Sequence, residues 1–152
     1  MVTIRAATED DIPRILELYH NLTSSVSSDD EEQSYPSQDD VQRVTDEILS
    51  LPRYDLLVAE EDGIVVGTMV LLIVPNLSHG ALPWAIVENV VVDGDHRRRG
   101  IGRLLMDYAT DRAREAGCYK VQLLSNKKRL EAHRFYQALG FETSAYGFRL
   151  YL

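Results

Sequence analysis

The segment from Val90 to Arg103 constrains the fold more strongly than any other part of this 152-residue chain. Its three opening valines predict the end of a buried strand, and the apolar residues that recur after Gly102 predict an amphipathic helix. Gly100 and Gly102 lie between the two elements, together with four arginines in the seven residues from 97 to 103. Glycine lets backbone N–H groups approach a ligand, and a helix N-terminus attracts negative charge. The segment therefore predicts a strand–loop–helix unit whose link can bind phosphate oxygens.

The spacing of the glycines separates this link from two common nucleotide-binding motifs. A dinucleotide fingerprint needs a third glycine three positions after Gly102, and Leu105 stands there. A P-loop needs Gly-Lys followed by Ser or Thr, and the chain lacks that run. A tight turn whose arginines only face solvent is the alternative to a phosphate-binding link.

The other strands are predicted from apolar runs bounded by turn residues, which together with the helices predict a mixed α/β architecture. Residues from Tyr54 to Glu60 and from Ile64 to Val74 predict two strands, with a hairpin turn at Glu61-Asp62-Gly63. A third long strand is predicted from Trp84 to Val92. Shorter strands are predicted at 3–5 and 120–124, and one or two more in the tail from 141 to 152.

Helices are predicted where apolar residues recur at helical spacing. The first follows the N-cap candidate Thr8, and the last ends at Gly140, a natural C-cap. The Ser/Asp/Glu-rich segment from Thr23 to Ser37 predicts a mobile loop, either a lid over a site or a plain surface loop. The predicted buried stripes are Ile12, Ile15, Leu16 and Tyr19; Val41, Val44, Ile48 and Leu51; Ile101, Leu104, Leu105, Tyr108 and Ala109; and Ala132, Phe135, Tyr136 and Leu139.

Length and composition predict one soluble domain over residues 1–152, with 45% hydrophobic and 26% charged side chains. The longest apolar run, Ile64 to Val74, is too short for the roughly 20 residues that span a bilayer. The N-terminus has no signal-peptide pattern, so we expect a cytoplasmic protein.

The lone Cys118 excludes an intrachain disulfide, and the four histidines show no metal-ligand spacing, so no metal is expected.

Charge is divided unevenly along the chain. Residues 1–62 carry 16 acidic and 4 basic side chains, a net charge of −12, whereas residues 63–152 carry 8 acidic and 12 basic side chains, a net charge of +4. A small polyanion can therefore bind in the C-terminal half, although the overall charge of −8 argues against nonspecific binding to nucleic acid or to a membrane surface. Simple solvation of both sets of charges is the alternative.

Two motifs in order resemble the GNAT superfamily of N-acetyltransferases. Arg97-x-x-Gly100-x-Gly102 resembles the family's acetyl-CoA loop, Gln/Arg-x-x-Gly-x-Gly/Ala. The segment from Ala132 to Phe141 resembles its second signature, Ala-x-x-Phe-Tyr-x-x-x-Gly-Phe. With the opening Ile-Arg-Ala-Ala at residues 4–7, the resemblance covers essentially the whole chain.

The resemblance implies an α/β (α+β) fold with a central, mostly antiparallel mixed sheet, flanked by helices and splayed at an acetyl-CoA cleft. The cleft would lie between the strand that ends at Val92 and the strand at 120–124. The pantetheine arm would pair with the first strand, the diphosphate would lie on the link, and Asn126 matches a position that contacts the cofactor arm. The implied cofactor-binding residues are Val90, Val91, Val92, Arg97, Arg98, Arg99, Gly100, Ile101, Gly102, Arg103 and Asn126.

Tyr136 and Glu88 are the candidates for the chemistry, which needs a neutral amine, a stabilised oxyanion and a proton for the leaving thiolate. Tyr136 matches the family position that protonates the CoA sulfur; a core aromatic is the alternative. Strict alternation along its strand would place Glu88 on one face with Ile86 and Val90. Many members of the family have an acidic residue at this position, which takes the proton from the amine. A structural carboxylate is the alternative. A backbone N–H near Val90 would polarise the thioester carbonyl.

The sequence therefore predicts an acetyl-CoA-dependent N-acetyltransferase that acts on a small-molecule primary amine. A protein or peptide N-acetyltransferase with an open groove is the second option. A non-catalytic acetyl-CoA-binding sensor is the third, and the presence of both Glu88 and Tyr136 argues against it. No nucleic-acid or membrane partner is expected, and assembly as a homodimer is left open.

Overall fold

A computed structural model describes residues 1–24 and 36–152, with the side chains of residues 22–24 left aside. Most of the segment expected to be a mobile loop, 23–37, lies outside the described residues. The described chain divides into two compact units, Met1–Gln122 and Leu123–Leu152, which are taken one at a time. The expectation of one domain over 1–152 stays a prediction.

The described chain contains a five-stranded sheet with the strand order β1-β2-β3-β4-β5, together with helices. Neighbouring strands from β1 to β4 pair antiparallel. The α/β class expected from the sequence is confirmed. The strands are β1 Val2–Ala6, β2 Tyr54–Glu61, β3 Ile64–Val74, β4 Trp84–Val92 and β5 Val121–Leu123. The helices are α1 Ile12–Ser24, α2 Gln38–Ser50, α3 Ser78–Ala81, α4 Ile101–Glu115 and α5 Leu130–Ala138.

The hairpin of β2 and β3 closes through a two-residue turn. Glu61 pairs with Ile64, and the intervening Asp62 and Gly63 both have positive φ values, +52° and +80°. Two positive φ values in a two-residue loop are the signature of the hairpin turn that matches the natural twist of the strands. The turn that the sequence predicted here is confirmed.

One face of the sheet packs against α1 and α2. Ile15 and Leu18 of α1 lie on a buried cluster formed with the three central strands, and Ile48 of α2 packs against it. Burying each such apolar side chain contributes roughly 1.5–3 kcal/mol. The strand residues of this cluster are Leu56, Val58, Val65, Val70 and Val91.

The opposite face of the sheet carries α4, and Gly67 of β3 allows the close approach. A Cβ atom built on Gly67 would lie 3.0 Å from the carbonyl oxygen of Val91, 3.4 Å from Leu105 Cδ1 and 3.5 Å from Ile101 Cγ2. The side chains of Leu105 and Ile101, both of α4, are fully buried. Because glycine leaves this space free, the first turns of α4 rest directly on β3.

A buried carboxylate fixes the start of the chain to the sheet. Asp11 receives two hydrogen bonds from the Arg5 guanidinium, at 2.7 and 2.9 Å, and one from the backbone N–H of Thr8 at 2.8 Å. Arg5 also donates to Glu60 of β2 at 2.8 Å. The hydrogen bond from Arg5 lowers the pKa of Asp11 from 3.8 to about 2.

We expect Asp11 to make the stability of the fold sensitive to acid. Its pKa is lower in the folded chain, so its contribution of about 2 kcal/mol is complete above about pH 5 and is lost as the pH falls through 2. Asp11→Asn should therefore lose stability at pH 6, and its deficit against the wild type should narrow towards pH 2. Urea unfolding at several pH values measures this. The exposed neighbour Asp10 supplies the control Asp10→Asn. If the stability that Asp11→Asn loses were the same at every pH, the prediction would be contradicted.

Two details of the predicted stripes are wrong. In α2 the buried residue is Thr45, while Val44 and Leu51, the C-cap residue just after the helix, are exposed. In α4 Leu104 is exposed, and Met106 takes a place in the core instead. Both errors arise because a helix turns about 100° per residue, so a shift of one position, from Val44 to Thr45, or of two, from Leu104 to Met106, is enough to exchange core and solvent.

The second unit contains α5 and the C-terminal tail. The C-cap of α5 is Leu139, and Gly140, predicted to end the helix, follows it with a φ of +91°, the left-handed conformation in which helices commonly end. The strands predicted in 141–152 are absent, although every residue there is described. Tyr146, Phe148 and Leu150 are about nine-tenths exposed, so the alternating apolar residues that suggested a strand are not packed against a sheet.

Candidate functional site

Strand β4 contains a bulge at Asn89. Val70 of β3 pairs with Glu88, and Thr68 pairs with Val91, so Met69 alone faces two residues of β4. Asn89 adopts a positive φ of +52°, a conformation that asparagine tolerates better than most residues. A bulge leaves one residue out of the backbone hydrogen-bond ladder and bends the strand. The backbone at Asn89 and Val90 is therefore the part of β4 that is released from regular pairing.

The bulge overturns the expectation that Ile86, Glu88 and Val90 share a face. Residues that pair directly across two strands lie on the same face, and the partners of Glu88 and Val91 are two positions apart on β3. Glu88 therefore shares its face with Val91, the face that packs on α1 and α2. Because the bulge contains one extra residue, the residues after it lie on the opposite face from the one that strict alternation would give them.

Glu88 lies in a partly buried, tyrosine-rich part of this face. Its side chain is half-buried, and burial, then the negative charge of Glu88, raises the pKa of Tyr54 on β2. A carboxylate near the phenol of Tyr54 on a largely apolar face is suited to accept a proton or to attract an ammonium group.

The link between β4 and α4 is a short 3-10 turn followed by two left-handed residues. The turn Gly94–His96 begins at Asp93, whose side chain accepts from the N–H of Asp95 at 3.2 Å. Arg98 and Gly100 then have φ values of +62° and +81°. Gly100 is the N-cap of α4, with no side-chain hydrogen bond to the helix. The first-turn N–H groups of a 15-residue helix are therefore left without a side-chain cap.

Ion pairs hold the link to its surroundings. Arg14 of α1 forms an ion pair with Asp93 and also donates to the backbone oxygen of Val65 at 3.1 Å. Arg99 donates to Glu61 at 2.7 Å. His96 lies between the two carboxylates, with Nδ1 3.6 Å from Asp93 and Nε2 4.0 Å from Glu61. Sequence reasoning missed Arg14 and Glu61 because both are distant in the chain from the link that they fix.

The predicted cofactor-binding residues of the first unit form one continuous stretch from β4 through the link into α4. The arginines at 97, 98, 99 and 103 are all exposed, as a role in binding an external anion requires. Ile101 is fully buried, so only its backbone can face a ligand. Val90 and Val92 are half-buried, and Val91 belongs to the core.

The predicted residues of the second unit lie before and within α5. The Asn126 side chain accepts from the N–H of Lys128 at 2.9 Å, and the carbonyl oxygen of Asn126 contacts His133 Nε2 at 2.9 Å. Tyr136 is buried, with its ring centroid 5.2 Å from that of Phe135 and 5.9 Å from that of Phe141. The roles of Asn126 and Tyr136 stay predictions.

Within residues 1–24 and 36–152, no three His, Cys, Asp or Glu side chains are grouped so that they could hold a metal ion. None of the helices in the same ranges has both the length and the apolar character to cross a membrane.

Comparison with known proteins gives a family match over most of the chain. Residues 15–141 match the family described as "Acetyltransferase (GNAT) family". A solved structure from Agrobacterium tumefaciens str. C58, described as an acetyltransferase, superposes with a TM-score of 0.86 at 39% identity, over 99% of both chains.

Two curated relatives have named substrates. Glucosamine 6-phosphate N-acetyltransferase of Trypanosoma brucei brucei is 38% identical over 58% of this chain and 58% of its own. Aminoalkylphosphonate N-acetyltransferase of Salmonella typhimurium is 35% identical over 64% of this chain and 62% of its own. The alignments thus span less than two thirds of either enzyme.

Proposed function

Because the chain belongs to the GNAT family of acetyltransferases, we propose that it transfers the acetyl group of acetyl-CoA to a primary amine of a small molecule. The observation that carries the proposal is the link after β4. Left-handed Gly100 opens an uncapped helix N-terminus, and the arginines around it are exposed.

The residues of the link suit the diphosphate of acetyl-CoA. N–H groups of the first turn of α4 can donate to phosphate oxygens, and the helix N-terminus adds partial positive charge. Exposed Arg97, Arg98 and Arg103 can add charge-assisted hydrogen bonds. Arg99 is held by Glu61, so it reaches an anion only if it leaves that partner.

The bulge in β4 suits the reacting thioester. Backbone groups at Asn89 and Val90 are released from the ladder, and the N–H of Val90 is the donor that we propose for the thioester carbonyl. Glu88 is the proposed base that takes a proton from the incoming amine, directly or through water. Tyr136, on the strength of the family resemblance, is the proposed acid for the CoA thiolate.

Replacing Glu88 should make the rate depend more steeply on pH. Glu88→Gln is expected to lower kcat by roughly 10²-fold at pH values where the amine is protonated. The loss should shrink as rising pH deprotonates the amine without help. A pH profile of kcat for both proteins measures this, with Glu60→Gln on β2 as the carboxamide control. A loss that does not change with pH would identify Glu88 as structural.

The two curated relatives act on small amines, and this favours a small-molecule acceptor for the present chain. An acceptor panel tests the proposal through release of the CoA thiol. It should include glucosamine 6-phosphate, an aminoalkylphosphonate, polyamines, amino acids and peptides, with glucose 6-phosphate as a control that lacks the amine. We expect turnover on small amines alone. Turnover on peptides alone would favour the protein acetyltransferase, and acetyl-CoA binding without any turnover would favour the sensor.

A further inference from the structure

Glu61, the last residue of β2, holds the arginine that stands directly before the N-cap of α4. The Arg99 guanidinium donates to the Glu61 carboxylate at 2.7 Å, and the Glu61 side chain is only 16% exposed. The N-cap, Gly100, makes no side-chain hydrogen bond to the helix, so an anion bound at this N-terminus would lie next to Arg99. Glu61 and that anion therefore compete for one guanidinium.

His96 stands between this ion pair and a second one. Its Nε2 lies 4.0 Å from the Glu61 carboxylate, and its Nδ1 lies 3.6 Å from the carboxylate of Asp93, which pairs with Arg14 of α1. Nδ1 is buried and has no hydrogen-bond partner among the residues that the structure describes. Asp95, next to His96 in the turn, is exposed, so water and salt screen its charge. The imidazole thus faces two carboxylates at ion-pair range without a hydrogen bond to either.

The charges around this imidazole balance while both arginines stay in place. Asp93 and Glu61 contribute two negative charges, and Arg14 and Arg99 contribute two positive charges. If Arg99 turns to a bound diphosphate, Glu61 becomes a poorly solvated carboxylate that has lost its cation. Such a carboxylate needs a partner, and an imidazole within about 4–6 Å can supply one by taking up a proton, as histidine does near neutral pH.

We propose that Glu61 exchanges partners when acetyl-CoA binds: Arg99 moves to the diphosphate, and His96 takes up a proton from the solvent and replaces Arg99 beside Glu61. The inference rests on the proposed function, in which the link binds the diphosphate. Glu61 then limits the affinity for the cofactor, because Arg99 must be separated from it. Binding is also coupled to a proton, and a ligand whose binding takes up a proton binds more weakly as the pH rises.

Calorimetric titration in buffers of different ionisation enthalpy counts the proton. The probe is dephospho-CoA, which lacks the phosphate monoester that itself titrates near neutral pH. We expect the wild type to take up roughly half a proton at pH 7, and its Kd to rise roughly fivefold from pH 6 to pH 8. His96→Asn keeps a polar group near the place of Nδ1 but cannot titrate, so both effects should disappear. His79→Asn, at the other end of β4, is the matched control and should keep both.

A double-mutant cycle shows whether Glu61 acts through Arg99. Glu61→Gln is expected to lower the Kd for dephospho-CoA roughly two- to fivefold, the usual worth of an ion pair near the surface. In a chain that already carries Arg99→Gln, the same change should give no gain. Asp62→Asn is the matched control for charge, because Asp62 is 87% exposed and lies one residue away. It should leave the Kd within about twofold of the wild type.

The ring resonances of His96 supply a readout from the wild-type protein alone. At pH 7 the protonated fraction of His96 should be larger with dephospho-CoA bound than without it. This comparison decides the question even if His96→Asn or Glu61→Gln fails to fold.

Three results would overturn the inference: no proton uptake by the wild type, an uptake that persists in His96→Asn, or a gain from Glu61→Gln that does not depend on Arg99. A protein that binds acetyl-CoA but acetylates no amine would overturn the transfer reaction of the proposed function and leave this inference standing. A protein that does not bind acetyl-CoA would overturn both.

Discussion

Tyr136→Phe is expected to lower kcat by roughly 10²–10⁴-fold, the contribution of a positioned general acid, while the chain stays folded. The substitution removes one oxygen and leaves the ring, whose packing partners within its own unit are Phe135 and Phe141. The melting temperature and the affinity for acetyl-CoA should therefore be close to those of the wild type. Steady-state kinetics, thermal unfolding and calorimetric titration measure the three quantities.

The matched control for this prediction is Tyr146→Phe. Tyr146 lies in the same unit and is 92% exposed, so the same chemical change there should leave kcat unaltered. A purely structural Tyr136 would give the reverse pattern, a lower melting temperature with normal turnover per folded molecule. A wild-type kcat for Tyr136→Phe across the pH range would mean that water or the substrate protonates the thiolate.

Gly102→Asp is expected to abolish acetyl-CoA binding without unfolding the protein. Gly102 stands in the first turn of α4, where a carboxylate is favourable for the helix itself but repels a diphosphate. In the wild type, acetyl-CoA at a hundred times its Kd should stabilise the fold by about 2.7 kcal/mol, seen as a higher melting temperature. The variant should show no such increase.

Gly102→Asn separates charge from size in this experiment. The amide has nearly the shape of the carboxylate, so the difference between the two variants measures the electrostatic repulsion alone. We expect Gly102→Asn to keep part of the increase in melting temperature. An Asp variant that is stabilised by acetyl-CoA as well as the wild type would show that the diphosphate binds elsewhere.

The long strands of this fold could be predicted because local signals specify them. Ile64–Val74 and Trp84–Val92 have the predicted bounds, since each is a mostly apolar segment of nine or more residues flanked by turn residues. The link into α4 could be predicted for the same reason, because glycines and arginines follow one another directly in the sequence. These features depend on neighbours in the chain.

The bulge and the ion pairs around the link depend on pairing between distant residues, and for that reason they were missed. Nothing local shows that β4 has one residue more than the stretch of β3 it faces. The one available signal was Asn89 itself, a residue that tolerates positive φ in the middle of an apolar strand. The contacts Arg14–Asp93 and Glu61–Arg99 join residues 79 and 38 positions apart.

The extra residue at Asn89 also divides β4 into two halves, in which odd-numbered and even-numbered residues point to opposite faces of the sheet. Residues up to Glu88 follow one alternation and residues from Val91 follow the other, so the number of residues in the strand matters as much as their identity. Removing Asn89 would leave Glu88, Val90 and Val91 opposite Val70, Met69 and Thr68 in a regular ladder. Val91 would then keep its face, and the strand would lose the bulge and the backbone groups that it releases from pairing. A chimera with a relative should therefore be joined before Ala85 or after Val92, so that both half-strands and the residue between them come from the same parent.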